Sequence, residues 1–464
     1  NYCEGGDMSQ WLDTPNQRVE ANATGDDIRT GWPSIAPYGE DGEIMVSHTG
    51  SGLVYYIREN AGEGVWDGPH SIPNPSGLEG QEYSYEMSWA RIATSGDNNS
   101  IIHVVAAAEY QIDSENMSSV QLYCRSTDGE NWDVDWSPLY QDNEHIDIYD
   151  ADDYVLSSNG NTVAIVYSGS VYHHVVMYKS EDNGENWERT VIWENPYYGI
   201  DWNDENSIYT DTMFGPAQSS VAIDNNGIAH VAISTYAYIH REVGTTYSVF
   251  MRSVASDGIV YWNDSREAPI QASNGNPHDA LRLWWKTNVG TWIRDDDNVK
   301  FCGWLPPDNE NGIGYLGFNG GYVYNDNEYF FTMRGLSAYP SIAVDSKGNV
   351  VVAYSAPDMT RIYDDDDYTV QYYYRGAYVS YKPYDSDEWN VAAINLFEEE
   401  EYNDVEAVMV SALSNPINEN EFWFSCSVDG TPGFHYGNNA SQLSPTQNKT
   451  MVFKVNTSYL NGED

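Results

Sequence analysis

The feature that most constrains this 464-residue chain is an internal repeat. A short apolar strand, a turn of Gly, Asn and Asp, and a second apolar strand recur along it. The copies read WPSIAPYGEDGEIMVSH from Trp32, ARIATSGDNNSIIHVVAA from Ala90, YVLSSNGNTVAIVYS from Tyr154, SSVAIDNNGIAHVAIS from Ser219 and PSIAVDSKGNVVVAYS from Pro340. A looser copy, EAVMVSALSNPINENEFWFSCS, starts at Glu406. Each is a β-hairpin in outline, because Gly and Asn supply positive φ at the turn and β-branched residues fill the flanking strands. The strands are nearly continuous apolar runs (VVVAYS, HVAIS, IHVVAA). Such runs suit strands buried on both faces, as when sheets stack around an axis.

The spacing counts the units. The first-strand landmarks Ile35, Ile92, Val155, Val221, Ile342 and Val408 stand 57, 63, 66, 121 and 66 residues apart. The one double gap predicts a hidden copy near residue 285, and GTWIRDDDNVKFCGWLP from Gly290 is the candidate, with Trp292 on its first strand and Asp295 to Asn298 as its turn. Seven units of about 62 residues follow, which is the size of a four-stranded propeller blade with long loops. The expected fold is therefore all-β, a β-propeller of about seven four-stranded blades over residues 28–464. Its units start near residues 32, 88, 152, 217, 288, 338 and 404, and six blades with an insertion is the alternative. Residues 1–27 form an N-terminal extension and a candidate closing strand.

A second landmark runs in phase with the first. YKSEDNGENW, with Ser180, Asp182, Gly184 and Trp187, fits S-x-D-x-G-x-x-W in full. CRSTDGENW, with Ser126, Asp128, Gly129 and Trp132, is one residue short, and segments ending at Trp66, Trp262 and Trp389 are degraded versions. On these motifs the chain resembles the Asp-box (BNR) repeat, sialidase-like β-propellers, from about Trp32 to Val455. In that family the motif is structural: the Asp caps a turn between third and fourth strands and the Trp packs between blades. The short side chains of Ser and Asp suit that task because they reach nearby backbone N–H groups.

The resemblance also implies a sialidase chemistry: three arginines on a carboxylate, a Tyr–Glu nucleophile pair and an Asp acid/base. Catalytic members carry an early [FY]-R-I-P motif, and here the nearest segment is DIRTGWPSI with Arg29, which lacks it. Candidate catalytic residues lie instead in HVAISTYAYIHREVGTTYSVFMR, where Tyr236, His240, Arg241 and Arg252 cluster. A Tyr or His base beside a cation is what a polysaccharide lyase needs to abstract a proton next to a uronate. His230 in the same stretch reads as a core residue of a second strand. Arg282, Trp284, Trp285, Arg294 and Arg334 are candidate substrate-binding residues, since guanidinium groups fork onto carboxylates and aromatic faces stack on sugars.

Charge narrows the partners. Seventy-one acidic residues against 21 basic ones give −50, a field that repels nucleic acid and anionic membranes. With 14% aromatic residues in regular strand patterning, that charge reads as an acidic surface on a packed fold and not as disorder. No run of about 18 apolar residues spans a membrane. The acidic loops at Asp295, Asp296 and Asp297 and at Asp364, Asp365 and Asp366 are candidate calcium ligands, though no cofactor is required and no EF-hand loop is present. Cys3, Cys124, Cys302 and Cys426 show no CxxC spacing; they allow three disulfide pairings, or free thiols. The sequons at Asn22, Asn98, Asn116, Asn263, Asn439, Asn448 and Asn456 fit a secreted or cell-surface glycoprotein. The overall expectation is a non-catalytic propeller that binds glycan, binds another surface protein or assembles with copies of itself. A carbohydrate-active enzyme (hydrolase or lyase) and a protein-binding propeller are the alternatives.

Overall fold

The computed structural model describes residues 30–75, 86–111, 117–133, 136, 139, 153–168, 174–194, 213–240, 249–251, 259–265, 270–271, 321–324, 327–330, 338–363, 372–386, 389, 394–413, 420–430 and 449–462. Within them the chain is all-β. The first sheet is β1 (Gly31–Tyr38), β2 (Gly42–Thr49), β3 (Gly52–Arg58) and β4 (Asp67–Ser71), and the second is β5 (Glu86–Ser95), β6 (Ile101–Gln111) and β7 (Met117–Ser126). The third is β8 (Tyr154–Asn159), β9 (Thr162–Tyr167), β10 (Val175–Ser180) and β11 (Glu188–Glu194). The fourth is β12 (Met213–Ile223) and β13 (Ala229–His240), with β14 (Val249–Met251) and β15 (Ile259–Asn263) both paired to β13. A short β16 (Ile270–Gln271) adds in parallel to β11, and β17 (Gly321–Tyr324) with β18 (Asn327–Phe330) forms a lone hairpin. The last two sheets are β19 (Ala338–Val344), β20 (Val350–Tyr363), β21 (Tyr372–Lys382) and β22 (Ile394–Asn395), then β23 (Glu406–Ala412), β24 (Glu421–Asp429) and β25 (Lys449–Asn456). Consecutive strands are neighbours in these sheets, except in the fourth, where β15 returns to β13 and not to β14.

The chain divides into two compact units, residues 1–166 with 177–190 and residues 167–176 with 191–464. In the first, the leading strands β1, β5 and β8 pack side by side in that order; in the second, β12, β19 and β23 do. One device ties them. A serine hydroxyl on one leading strand accepts the backbone N–H of the next: Ile92 N donates to Ser34 Oγ (3.1 Å), Ile342 N to Ser220 Oγ (3.1 Å) and Ala412 N to Ser341 Oγ (2.8 Å). A further ladder in the first unit runs from Ser158 Oγ to Thr94 O and from Thr94 Oγ1 to Pro37 O, each at 2.6 Å.

The apolar runs owe their continuity to these neighbours. Val350, Val352 and Tyr354 lie in the core shared with the fourth sheet, among Ala222, Ala232 and Tyr261. Val351 and Ala353 alternate into a second core, among Phe422, Phe424 and Val428. A strand covered on both faces has no solvent side on which to place polar residues.

The structure bears on two expectations. The sheet of β19–β22 packs directly on the sheet of β12–β15, through the Ser220 bond and through Asn225 Nδ2 to Ser346 O. The hidden copy from Gly290, between them in sequence, lies outside the described residues. In the last unit the position equivalent to Ile92 and Ile342 is Ala412, not Val408, because Ala412 makes the shared bond to serine. Sequence missed this since Val408 is the more apolar of the two.

Candidate functional site

Among the described residues the leading strands share an irregularity at their starts. In β1 the register passes from Gly31↔His48 to Ser34↔Val46, so Trp32 and Pro33 oppose one residue, which is a β-bulge. The same slip falls between Ser88 and Arg91, Pro216 and Ser219, Ala338 and Ser341, and Val408 and Ser411. Four of these five bulges place a large side chain in the left-handed region: Trp32 (φ 50°), Trp89 (φ 54°), Tyr339 (φ 53°) and Met409 (φ 54°). A bulky residue there costs about 1–3 kcal/mol and persists only where surrounding structure imposes it.

In the first unit the bulges build an aromatic platform. The Trp32 and His48 rings stack with centroids 6.1 Å apart, and Trp32 meets Trp89 at 6.4 Å and 53°. His48, next to last in β2, stands directly opposite Gly31, so all three groups gather at one end of the leading strands. The Trp89 N–H, freed from the ladder by its bulge, donates to His48 Nδ1 at 3.0 Å, and Tyr154 OH donates to the Trp89 carbonyl. Burial holds the His48 imidazole below its usual pKa, so it is neutral near pH 7. With Nδ1 accepting, its proton sits on Nε2. Trp32 keeps 42% of its surface exposed, and Trp89 is half-buried. The platform therefore offers aromatic faces and an imidazole N–H at an open edge.

The turns joining first to second and third to fourth strands lie at the opposite edge. Two of those, 126–132 and 180–187, are closed by serine and aspartate. Asp128 Oδ1 accepts from Glu130 N and Asn131 N, and Asp182 Oδ1 accepts from Asn186 N and Ser180 Oγ. Gly129 N and Gly184 N donate to Ser126 Oγ and Ser180 Oγ. Hydrogen bonds from the Asn131 and Asn186 side chains and backbone lower the two aspartates to about 2. Trp132 packs on Tyr55 (5.3 Å) and Trp187 on Tyr123 (5.1 Å), each a tyrosine on the third strand of the preceding sheet. Trp389 meets Tyr261 (5.0 Å) in the same way within the second unit. Trp262, expected in such a turn, is instead a buried residue of β15, and Trp66 lies under the Arg58 guanidinium at 4.6 Å.

A relay-like chain in the first unit is sealed. Tyr123 OH donates to His103 Nδ1 (2.8 Å), His103 Nε2 donates to Ser95 Oγ (2.7 Å), and Ser95 Oγ donates to Asn183 Oδ1 (2.8 Å). His103 is fully buried, and burial followed by the Arg125 charge pushes it down to about 3, so it stays neutral and structural. His230 pairs in the same way with Tyr261 OH at 2.7 Å in the fourth sheet and is buried.

The other expected site residues fall elsewhere. Tyr236 and His240 are register positions of equal parity at the far end of β13, opposite Gly215 in β12 and Val249 in β14 respectively. Arg241, Arg252, Arg282, Trp284, Trp285, Arg294 and Arg334 lie outside the described residues, as do the candidate calcium ligands at 295–297 and 364–366. Among the described residues no three His, Cys, Asp or Glu side chains are grouped to hold a metal. Cys124 and Cys426 are buried free thiols, each pushed up to about 12 by burial first of all. Of the sequons, Asn98 and Asn456 are exposed and Asn263 is half-buried. Among the described residues no helix is long and apolar enough to cross a membrane.

Trp32, Trp89 and His48 were missed by sequence reasoning, which read Trp32 only as the start of a repeat. The available signal was a Trp or Tyr three residues before the landmark in three copies: Trp32, Trp89 and Tyr339.

No protein-family model matches the chain, and no curated protein matches it. Solved structures do. An ulvan lyase, described as a new family of polysaccharide lyase and bound to a GlcA–Rha3S saccharide, is 9% identical with a TM-score of 0.44 over 91% of this chain and 86% of its own. A Penicillium chrysogenum α-L-arabinanase in complex with arabinobiose is 10% identical with a TM-score of 0.39 over 88% and 90%. A Hadza microbial sialidase is 10% identical with a TM-score of 0.33 over 86% and 64%. At this level of similarity none of them assigns an activity here.

Proposed function

We propose that this chain is a secreted or cell-surface β-propeller of six blades and an insertion, and that it binds glycan on the platform of Trp32, Trp89 and His48. The observation that carries the reading is an exposed tryptophan, held in a left-handed bulge and stacked on a neutral histidine, at the edge where the leading strands begin. A rigid aromatic face with a polar donor at its rim suits a sugar ring, which is apolar on its C–H face and ringed by hydroxyls. The order of sheets within each unit and their serine ties support the blade reading. The site is made of side chains alone, and the reading invokes no cofactor.

The test is a panel of neutral and acidic polysaccharides and sialoglycans, read by bound fraction and by quenching of tryptophan fluorescence. Trp32→Gly removes the ring and relieves the positive φ, so its melting temperature should hold while affinity falls by about tenfold or more, the loss of one stacking contact and its neighbours. Unchanged binding in this variant sinks the assignment of the site.

A second reading, a carbohydrate-active enzyme, is favoured by the placement of Tyr236 and His240 together at the extended end of β13. New reducing ends or unsaturated-uronate absorbance in the same panel, abolished by Tyr236→Phe, would establish it. Neither signal in any sample rejects it.

A further inference from the structure

The platform has a donor side with a definite geometry. His48 Nδ1 is occupied by the Trp89 N–H, which leaves Nε2–H without a hydrogen-bond partner among the described residues. Gly31 lies against that nitrogen: a Cβ at residue 31 would stand 2.5 Å from His48 Nε2. Only glycine leaves the donor uncovered. The indole N–H groups of Trp32 and Trp89 likewise have no acceptor among the described residues, Trp32 being exposed and Trp89 half-buried. Along the described parts of these strands Arg91 is engaged in interactions of its own. The three rings thus present uncharged N–H donors, on a chain of net charge −50.

Resting on the glycan-binding reading, we infer that the ligand of this platform is an uncharged sugar chain whose hydroxyl or ring oxygen accepts from His48 Nε2–H, and that Gly31 and His48 set this preference. A uronate, sulfated or sialylated chain would enter a repulsive field, and the three rings themselves offer it no cation. An amino sugar would be drawn by the same field but would set its ammonium against N–H donors. A neutral chain meets neither penalty, and stacking on Trp32 leaves its rim oxygens level with the imidazole N–H.

The experiment uses the full chain and three probes on one backbone: a soluble neutral glucan, its carboxymethyl derivative and its amino derivative. Titrations are run at roughly 0.05 M and 0.5 M salt, where the Debye length shrinks severalfold. The expected result is tightest binding of the neutral glucan, changed by less than about twofold between the two salts, with the carboxymethyl form about tenfold weaker at low salt and recovering at high salt. His48→Phe keeps a flat ring but lacks the donor, and Gly31→Ala covers it. Both should weaken the neutral glucan severalfold, with the melting temperature of each variant measured alongside to separate misfolding from lost contact. Equal or tighter binding of the carboxymethyl derivative at low salt, or of the amino derivative at high salt where the field is screened, overturns the inference while leaving glycan binding intact. Failure of all three probes, together with every neutral member of the wider panel, overturns the glycan-binding reading and the inference with it.

Discussion

Asp128 and Asp182 show how single residues hold the outer turns. Each carboxylate caps backbone N–H groups and an asparagine side chain, and each titrates near 2 against an ordinary 3.8. A folded-state pKa below the unfolded one contributes stability that is fully present above about pH 4 and is lost as the pH falls through 2. Asp182→Asn should therefore melt below the native chain at pH 6. The gap between the two should close as the pH is lowered to about 2, followed by thermal denaturation in circular dichroism. A gap that persists unchanged at low pH would mean that the turn gains nothing from the charge. The leading-strand serines act on the same scale. Ser341→Ala leaves the Ala412 N–H without its partner and should cost about 1–2 kcal/mol in denaturant melts, against a few tenths for an exposed serine such as Ser51.

At the scale of the strand, burial on both faces decides composition. Val351 and Val352 are neighbours in sequence but belong to different cores. Truncating either to alanine should cost about 2 kcal/mol, from the lost transfer energy of two methyl groups and the cavity left behind. Because they touch different partners, the double variant should cost the sum to within about 0.5 kcal/mol. A large positive or negative coupling in that double-mutant cycle would show that the two faces of β20 are not independent. The bulges work against this regularity. Each interrupts a leading strand where pairing would otherwise continue, and there the backbone N–H of Trp89 turns to His48 and that of Tyr339 to Gln218 Oε1.

For the whole molecule, the net charge of −50 and the direct packing of the fourth sheet on the sheet of β19–β22 have separate consequences. Self-repulsion is screened by salt, so the melting temperature should rise steadily between roughly 0.05 M and 1 M sodium chloride, a trend a near-neutral propeller would not show. If residues 272–337 are an insertion, replacing them with a flexible linker of about twelve residues, with a reach near 20 Å, should leave a single cooperative melt. If they supply a blade, the excised chain should lose cooperativity.

Much of this protein was legible from residue order alone. Hairpins at Trp32, Ala90, Tyr154, Ser219 and Pro340 follow from local chemistry: glycine and asparagine at turns, and β-branched runs whose lack of polar alternation already implies two buried faces. The serine and aspartate spacing at 126–132 and 180–187 likewise announces a turn, since those side chains bond within a few residues of themselves. Tertiary structure decided the rest. Val408 and Ala412 are both plausible landmarks until one of them makes the bond to Ser341. The platform was hidden for the same reason: Gly31, Trp32, His48 and Trp89 come from three strands of two sheets, and a left-handed bulge leaves no mark in composition. Local interactions are written in the order of residues, whereas a site built from facing strand ends exists only once the sheets have stacked.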